Sequence, residues 1–164
     1  MDDENILSFT SQDIEHTLIK DLVRSQGFET CREEISLQYI KNVIHEYDFG
    51  LARITQKANV GKKHTRKSGD KFQLWGFLLC RLNKNTKIAT IEIVCSRRGA
   101  QGTGRLLIEI LIEKLKSQNI AQIVRLLCLP KDKLRAFYKT MGFQQETIHV
   151  PEPTMKLYEM TFLL

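Results

Sequence analysis

The most informative stretch of this 164-residue chain is residues 91–107, Ile-Glu-Ile-Val-Cys-Ser-Arg-Arg-Gly-Ala-Gln-Gly-Thr-Gly-Arg-Leu-Leu. A β-branched run leads into Gly99-Ala100-Gln101-Gly102-Thr103-Gly104, and an apolar helical pattern starts directly behind it. Small residues let the backbone turn sharply and aim successive N–H groups at one point, and a helix N-terminus adds the positive end of its dipole. Such a loop suits a phosphate or pyrophosphate, and Arg97, Arg98 and Arg105 flank it with fixed charge. Two well-known phosphate loops are excluded. A Walker A loop needs Gly-Lys-Ser/Thr, which does not follow, and a dinucleotide fingerprint needs a third glycine where Leu107 stands. What remains is a strand, a basic Gly-x-Gly loop and a long helix.

The second block is 134–143, Leu-Arg-Ala-Phe-Tyr-Lys-Thr-Met-Gly-Phe, on a short helical segment after an apolar strand. Together the two blocks resemble the GNAT superfamily of acetyl-CoA-dependent N-acetyltransferases. That family carries a Gln/Arg-x-x-Gly-x-Gly/Ala loop on the CoA pyrophosphate and a Phe/Leu-Tyr-x-x-x-Gly-Phe helix. Phe137 to Phe143 match the second motif, and Gly102 and Gly104 match the glycines of the first. The chain departs from the family at Gly99, where Gln/Arg is usual, and at Lys131, where asparagine is frequent. The resemblance covers most of the chain and is weakest over residues 1–70.

The resemblance implies an α/β fold of the α+β type, a single GNAT-like domain over 1–164. Its sheet would be mixed and mostly antiparallel, with six to seven strands, about four helices and a V-shaped gap between the fourth and fifth strands. Acetyl-CoA would be the co-substrate, with no metal. Gly99, Ala100, Gln101, Gly102, Thr103, Gly104 and Arg105 would hold its pyrophosphate. The backbone of Ile93 and Val94 would pair with the pantetheine arm, and an N–H there would polarise the thioester carbonyl. A primary amine would attack directly, through a tetrahedral intermediate that expels the thiolate. Tyr138 would contact the cofactor and act as general acid, because a phenol of ordinary pKa about 10 keeps its proton at neutral pH. The competing reading makes Tyr138 a core residue beside Phe137.

Glu92 is the only carboxylate in residues 88–96. Strand interiors disfavour acids, so it is the candidate general base for an incoming ammonium, weighed against a solvent-facing or arginine-paired role. Cys95 invites an acetyl-cysteine route, but no histidine lies near it in sequence, and a buried structural thiol is the preferred reading.

These residues need elements to carry them. Residues 11–26 place Ile14, Leu18, Ile19, Leu22 and Val23 on one helical stripe, with Thr10 or Ser11 as cap and Gly27 as stop. A second helix fits 31–47, and Gly50 opens a short strand, Leu-Ala-Arg-Ile-Thr. Residues 57–71 hold six lysines and arginines against one aspartate and read as a solvated, flexible hairpin loop. A localisation-like cluster at Lys62 to Lys67 and a phosphate patch are the other readings of that loop. Residues 72–96 read as an antiparallel hairpin turning at Asn-Lys-Asn-Thr, and 103–117 as a buried helix apolar nearly all round. A strand at 123–129, a helix at 131–141 stopped by Gly142, and strands at 143–150 and 156–163 complete the order βααβββαβαββ.

A domain of this size buries about 70% of its unfolded-chain surface, so a core needs no metal or disulfide. No apolar run reaches the roughly 18 residues of a membrane span, and the acidic N-terminus argues against a signal peptide. Cys31, Cys80, Cys95 and Cys128 show no Cys-x-x-Cys spacing, which argues against zinc and for reduced thiols in an intracellular protein of the cytoplasm or nucleus. Residues 1–50 carry 11 acids and 4 bases, and residues 51–164 carry 8 acids and 21 bases, within a net charge of +6. The basic part suits a polyanionic cofactor. Glu29, Glu33, Glu34, Glu46 and Asp48 suit a cationic acceptor such as a protein lysine, a basic peptide or a polyamine. Two alternatives stand beside the enzyme: a non-catalytic acetyl-CoA-binding or interaction module, and a basic nucleic-acid binder. The expected partners are acetyl-CoA and an amine, with no membrane and no required nucleic acid, in a monomer or homodimer.

Overall fold

The computed structural model describes residues 6–11, 17–57, 71–152 and 155–164, without the side chains of 145–146, 149–152 and 155–156. The elements run β1 (Ile6–Thr10), α1 (Thr17–Thr30), α2 (Leu37–Glu46), β2 (Phe49–Gln56), β3 (Phe72–Asn83) and β4 (Ile88–Ser96). They continue with α3 (Thr103–Gln118), β5 (Ile123–Cys128), α4 (Asp132–Thr140), β6 (Gln144–Glu152) and β7 (Met155–Leu163). The seven strands form one sheet in the order β1-β2-β3-β4-β5-β7-β6. β4 and β5 pair in parallel, whereas β1–β2, β5–β7 and β6–β7 pair antiparallel. The mixed α+β architecture expected from the sequence is the one observed. Its leading strand is β1, which makes Thr10 the partner of Phe49 rather than a helix cap.

Two compact units divide the chain, Met1–Leu79 with Ile93–Ile108, and Cys80–Glu92 with Glu109–Leu164. In the first, α1 and α2 bury Ile19, Leu22, Val23, Ile40, Val43 and Ile44 in a core that includes Phe77, Leu79 and Ile93. Both helix boundaries differ from expectation for local reasons. Gly27 does not stop α1; a Cβ there would lie 3.3 Å from Ile40 Cγ2, so the glycine allows close packing inside the helix. The helix ends instead in a Schellman cap, with Arg32 N–H donating to Glu29 O and Glu33 N–H to Phe28 O. Arg32 takes the left-handed position (φ 56°) normally held by glycine, which hides the stop from sequence. The second helix begins only at Leu37, because the Ser36 hydroxyl accepts from Tyr39 N–H (3.1 Å) and caps it.

In the second unit, β5 and β7 bury Val124, Leu126, Cys128 and Met160. The apolar run of β5 reads as a buried strand, yet Leu127 is 47% exposed. α3 is likewise not buried all round: Glu109, Glu113 and Lys116 form its exposed side. β3 and β4 are joined by a turn in which Asn83 Oδ1 accepts from Asn85 and Thr86 N–H. The basic segment expected to be flexible falls almost wholly on residues 58–70, outside the described residues. Lys57 N–H donates to Lys71 O (2.7 Å) at its base. Among the described residues no helix is long and apolar enough to cross a membrane, and no group of His, Cys, Asp or Glu is placed to hold a metal.

α4 stops at Gly142, in agreement with its sequence. Gly142 N–H donates to Lys139 O and Phe143 N–H to Tyr138 O, again a Schellman cap, with Gly142 at φ 103°. A Cβ at Gly142 would lie 2.9 Å from the Phe162 ring. Gly142→Ala should therefore cost about 1–3 kcal/mol, read as a lower denaturant midpoint at unchanged slope. A variant as stable as wild type would contradict the cap.

Candidate active site

The turn from β4 into α3 is built in the first unit. Arg97 N–H donates to Trp75 O (2.8 Å), Ala100 N–H to Arg97 O (3.1 Å) and Thr103 N–H to Ala100 O (3.2 Å). Between these anchors Gly99 (φ 85°) and Gly102 (φ 78°) adopt the left-handed conformation that other residues avoid. No atom lies within 4 Å of a Cβ built on Gly99 or Gly104. Among the described residues, the N–H groups of Gly99, Gln101, Gly102 and Gly104 donate to no acceptor. A helix start necessarily leaves such donors, and they favour an anion. The loop thus has the composition and the backbone that a pyrophosphate would fit.

Its anchorage divides the predicted residues. Thr103 is fully buried and its N–H is already spent on Ala100 O, so it supports the turn rather than meeting a ligand. A Cβ at Gly76 would come within 2.5 Å of its methyl, and its hydroxyl accepts from Arg53 Nη1 (2.7 Å). Arg53 is a residue the sequence reading missed. Its signal was a lone arginine inside the apolar run of β2, which alternation alone would assign to solvent.

Arg97 does not serve as a flanking charge for a ligand. Its guanidinium donates to Leu74 O (2.9 Å) and Thr30 Oγ1 (3.1 Å) and pairs with Glu29 (3.0 Å). It ties the loop to the last turn of α1. Arg98 and Arg105 are exposed.

Along β4 burial alternates, with Ile93 and Cys95 buried while Glu92 and Val94 share the less buried side. The β4–β5 pairs run from Ile88↔Ile123 to Ile91↔Leu126, and Glu92, Ile93 and Val94 lie beyond them on β4. Cys95 corrects the sequence reading. It is not a free thiol but is disulfide-bonded to Cys31, 64 residues away, with Cα atoms 4.9 Å apart. That separation carries no sequence signal; the fold creates the proximity by bringing the end of α1 beside the end of β4. The pair overturns the fully reduced reading and removes Cys95 as a nucleophile in this form, whereas Cys80 and Cys128 are buried free thiols.

Tyr138 belongs to the second unit, as does Glu92. It is buried on α4, edge-on to Phe137 (5.2 Å) and Phe143 (5.9 Å). Burial first, and Cys128 second, push the phenol well above the ordinary tyrosine range. Burial likewise pushes the Cys128 thiol up to about 11, partly opposed by Arg135, which stacks over the Tyr158 ring at 4.1 Å. Both groups are therefore protonated at neutral pH.

The division of the arginines is measurable. Arg97→Met should cost about 2 kcal/mol by removing charge-assisted hydrogen bonds to Leu74 O and Thr30 Oγ1 at a mostly buried site, against under about 0.5 kcal/mol for exposed Arg98→Met. Equal midpoints in chemical denaturation would contradict this assignment.

No family model matches the chain, and no curated protein matches it. Solved structures do. An aminoglycoside 6'-N-acetyltransferase complexed with coenzyme A matches at TM-score 0.63 and 14% identity, covering 96% of each chain. The ribosomal-protein-S18-alanine N-acetyltransferase from Escherichia coli matches at TM-score 0.61 and 18% identity, over 96% of this chain and 93% of that one. The NatC complex bound to Gag peptide and CoA matches at TM-score 0.63 and 13% identity, over 98% and 99%. Identities this low speak for architecture alone, and the architecture is that of the GNAT acetyltransferases.

Proposed function

We propose that the chain is an acetyl-CoA-dependent N-acetyltransferase that moves an acetyl group to a primary amine of a cationic acceptor. The observation that carries this reading is the Gly99–Gly104 turn with its unused N–H groups, on a fold shared with CoA-bound acetyltransferases. Acetyl-CoA supplies an activated thioester. Gly99, Gln101, Gly102 and Gly104 would hold its pyrophosphate through backbone N–H groups, assisted by Arg105. The backbone of Ile93 and Val94 would align the pantetheine arm and polarise the carbonyl under attack.

Glu92 would take the proton from the incoming ammonium, directly or through water. Tyr138 would supply a proton where the thiolate leaves. Its raised pKa favours that role in one respect: the phenol stays protonated throughout the working range. The acidic residues Glu33 and Glu34 favour a cationic acceptor by charge complementarity, whereas Glu29 is spent on Arg97. The neighbours' named acceptors, an aminoglycoside and peptides or proteins among them, span both small and macromolecular amines.

Thiol release from acetyl-CoA in the presence of polyamines and lysine-containing basic peptides tests the reading. Wild type should turn over, and Tyr138→Phe should lower kcat by about 10²–10⁴ while leaving acetyl-CoA affinity nearly intact. Since a raised phenol pKa postpones deprotonation to higher pH, the wild-type rate should show no tyrosine-dependent alkaline fall up to about pH 9.5. An alkaline limb abolished by Tyr138→Phe would contradict the protonated-phenol assignment. Replacing Glu33 and Glu34 by glutamine should raise the acceptor KM, and an unchanged KM would remove them from the account.

A further inference from the structure

The segment that enters the glycine turn is fastened to one place, the end of α1. Cys95 is bonded to Cys31, Arg32 Nε donates to Ser96 O (3.2 Å), and Arg97 holds Thr30 Oγ1 (3.1 Å) and Glu29 (3.0 Å). Three consecutive residues, 95 to 97, thus take their positions from residues 29–32, and Gly99 follows two residues later. Only the disulfide among these ties can be made and broken by electron transfer. The polar ties alone leave the backbone of Cys95 on β4 but release its side chain from the helix end.

We propose that Cys31–Cys95 is a thiol–disulfide exchange site whose redox state sets how firmly the Gly99–Gly104 turn is held, and hence its affinity for CoA. The role for CoA rests on the acetyltransferase reading; the effect on the turn does not. The reactant is a dithiol. One of its thiolates attacks a disulfide sulfur, giving a mixed disulfide and releasing one protein thiolate, which takes up a proton. The second dithiol sulfur then displaces the other cysteine and closes its own ring disulfide. Two electrons and two protons pass to the protein, and Cys31 and Cys95 end as thiols. Cys80 and Cys128 are unchanged.

The test uses the full chain, oxidised or reduced with dithiothreitol, with thiols counted under denaturing conditions. Two thiols are expected before reduction and four after. Amide hydrogen exchange at Arg97, Ala100 and Thr103, the hydrogen-bonded N–H groups of the turn, should accelerate at least about fivefold on reduction, relative to Val124 and Leu126 in β5, and the Kd for CoA should rise by a similar factor. A Cys31→Ser, Cys95→Ser double variant should match the reduced protein and ignore dithiothreitol. Equal exchange at Arg97, Ala100 and Thr103 in both redox states overturns the proposal, even if the double variant fails to fold. Four thiols before reduction, in protein purified under oxidising conditions, also overturn it. Accelerated exchange without CoA binding in either state keeps the redox-sensitive turn and refutes the acetyltransferase reading instead.

Discussion

At the turn from β4 into α3, several backbone N–H groups find no acceptor among the described residues, those of Gly102 and Gly104 because a helix start leaves its first donors without carbonyl partners. In an ordinary turn, water or a capping side chain would satisfy them. Here glycines at 99 and 102 hold the backbone in left-handed conformations, Thr103 turns its hydroxyl to Arg53, and no side-chain cap takes the donors among the described residues. Much of the first unit serves that arrangement. Gly76 makes room for Thr103, Arg97 binds the turn's entrance to α1, and α1 is held in turn by the core beneath it.

The second unit shows how one motif can both cap a helix and bury a phenol. In Phe-Tyr-x-x-x-Gly-Phe, the glycine takes the left-handed position that ends α4, and Phe143 turns back onto Tyr138 across the cap. The phenol is thereby fixed by the helix stop and by two neighbouring rings. Burial among them also raises its pKa, since the charged phenolate would lose its hydration. A phenol that keeps its proton is the physical result of packing that the sequence motif already encodes.

Where local patterning matches tertiary demand, the sequence was legible. The glycine turn, α3, the stop at Gly142 and the element order follow from residue types whose conformational preferences act at short range. Most of the failures come from dependence on partners distant in sequence, whereas the cap at Arg32 is a local exception. Gly27 is a packing residue because Ile40 and Phe77 press against it; Arg32 stands in a left-handed cap that glycine usually marks. Arg53 and Arg97 look like surface cations until the fold supplies Thr103, Leu74 O and Thr30 as partners. Cys31 and Cys95 are linked only because two elements end side by side. Pattern reading reports which face a residue prefers, not what will meet it there.

On the proposed function, the turn at 99–104 holds the diphosphate of acetyl-CoA. Calorimetric titration of the folded protein with acetyl-CoA, alongside Gly102→Glu, tests it most directly. A carboxylate at that position would repel the anion and strain a left-handed backbone site. Micromolar binding to wild type that disappears in the variant is the expected result. Absence of binding to folded wild type, or equal binding to both proteins, would contradict it.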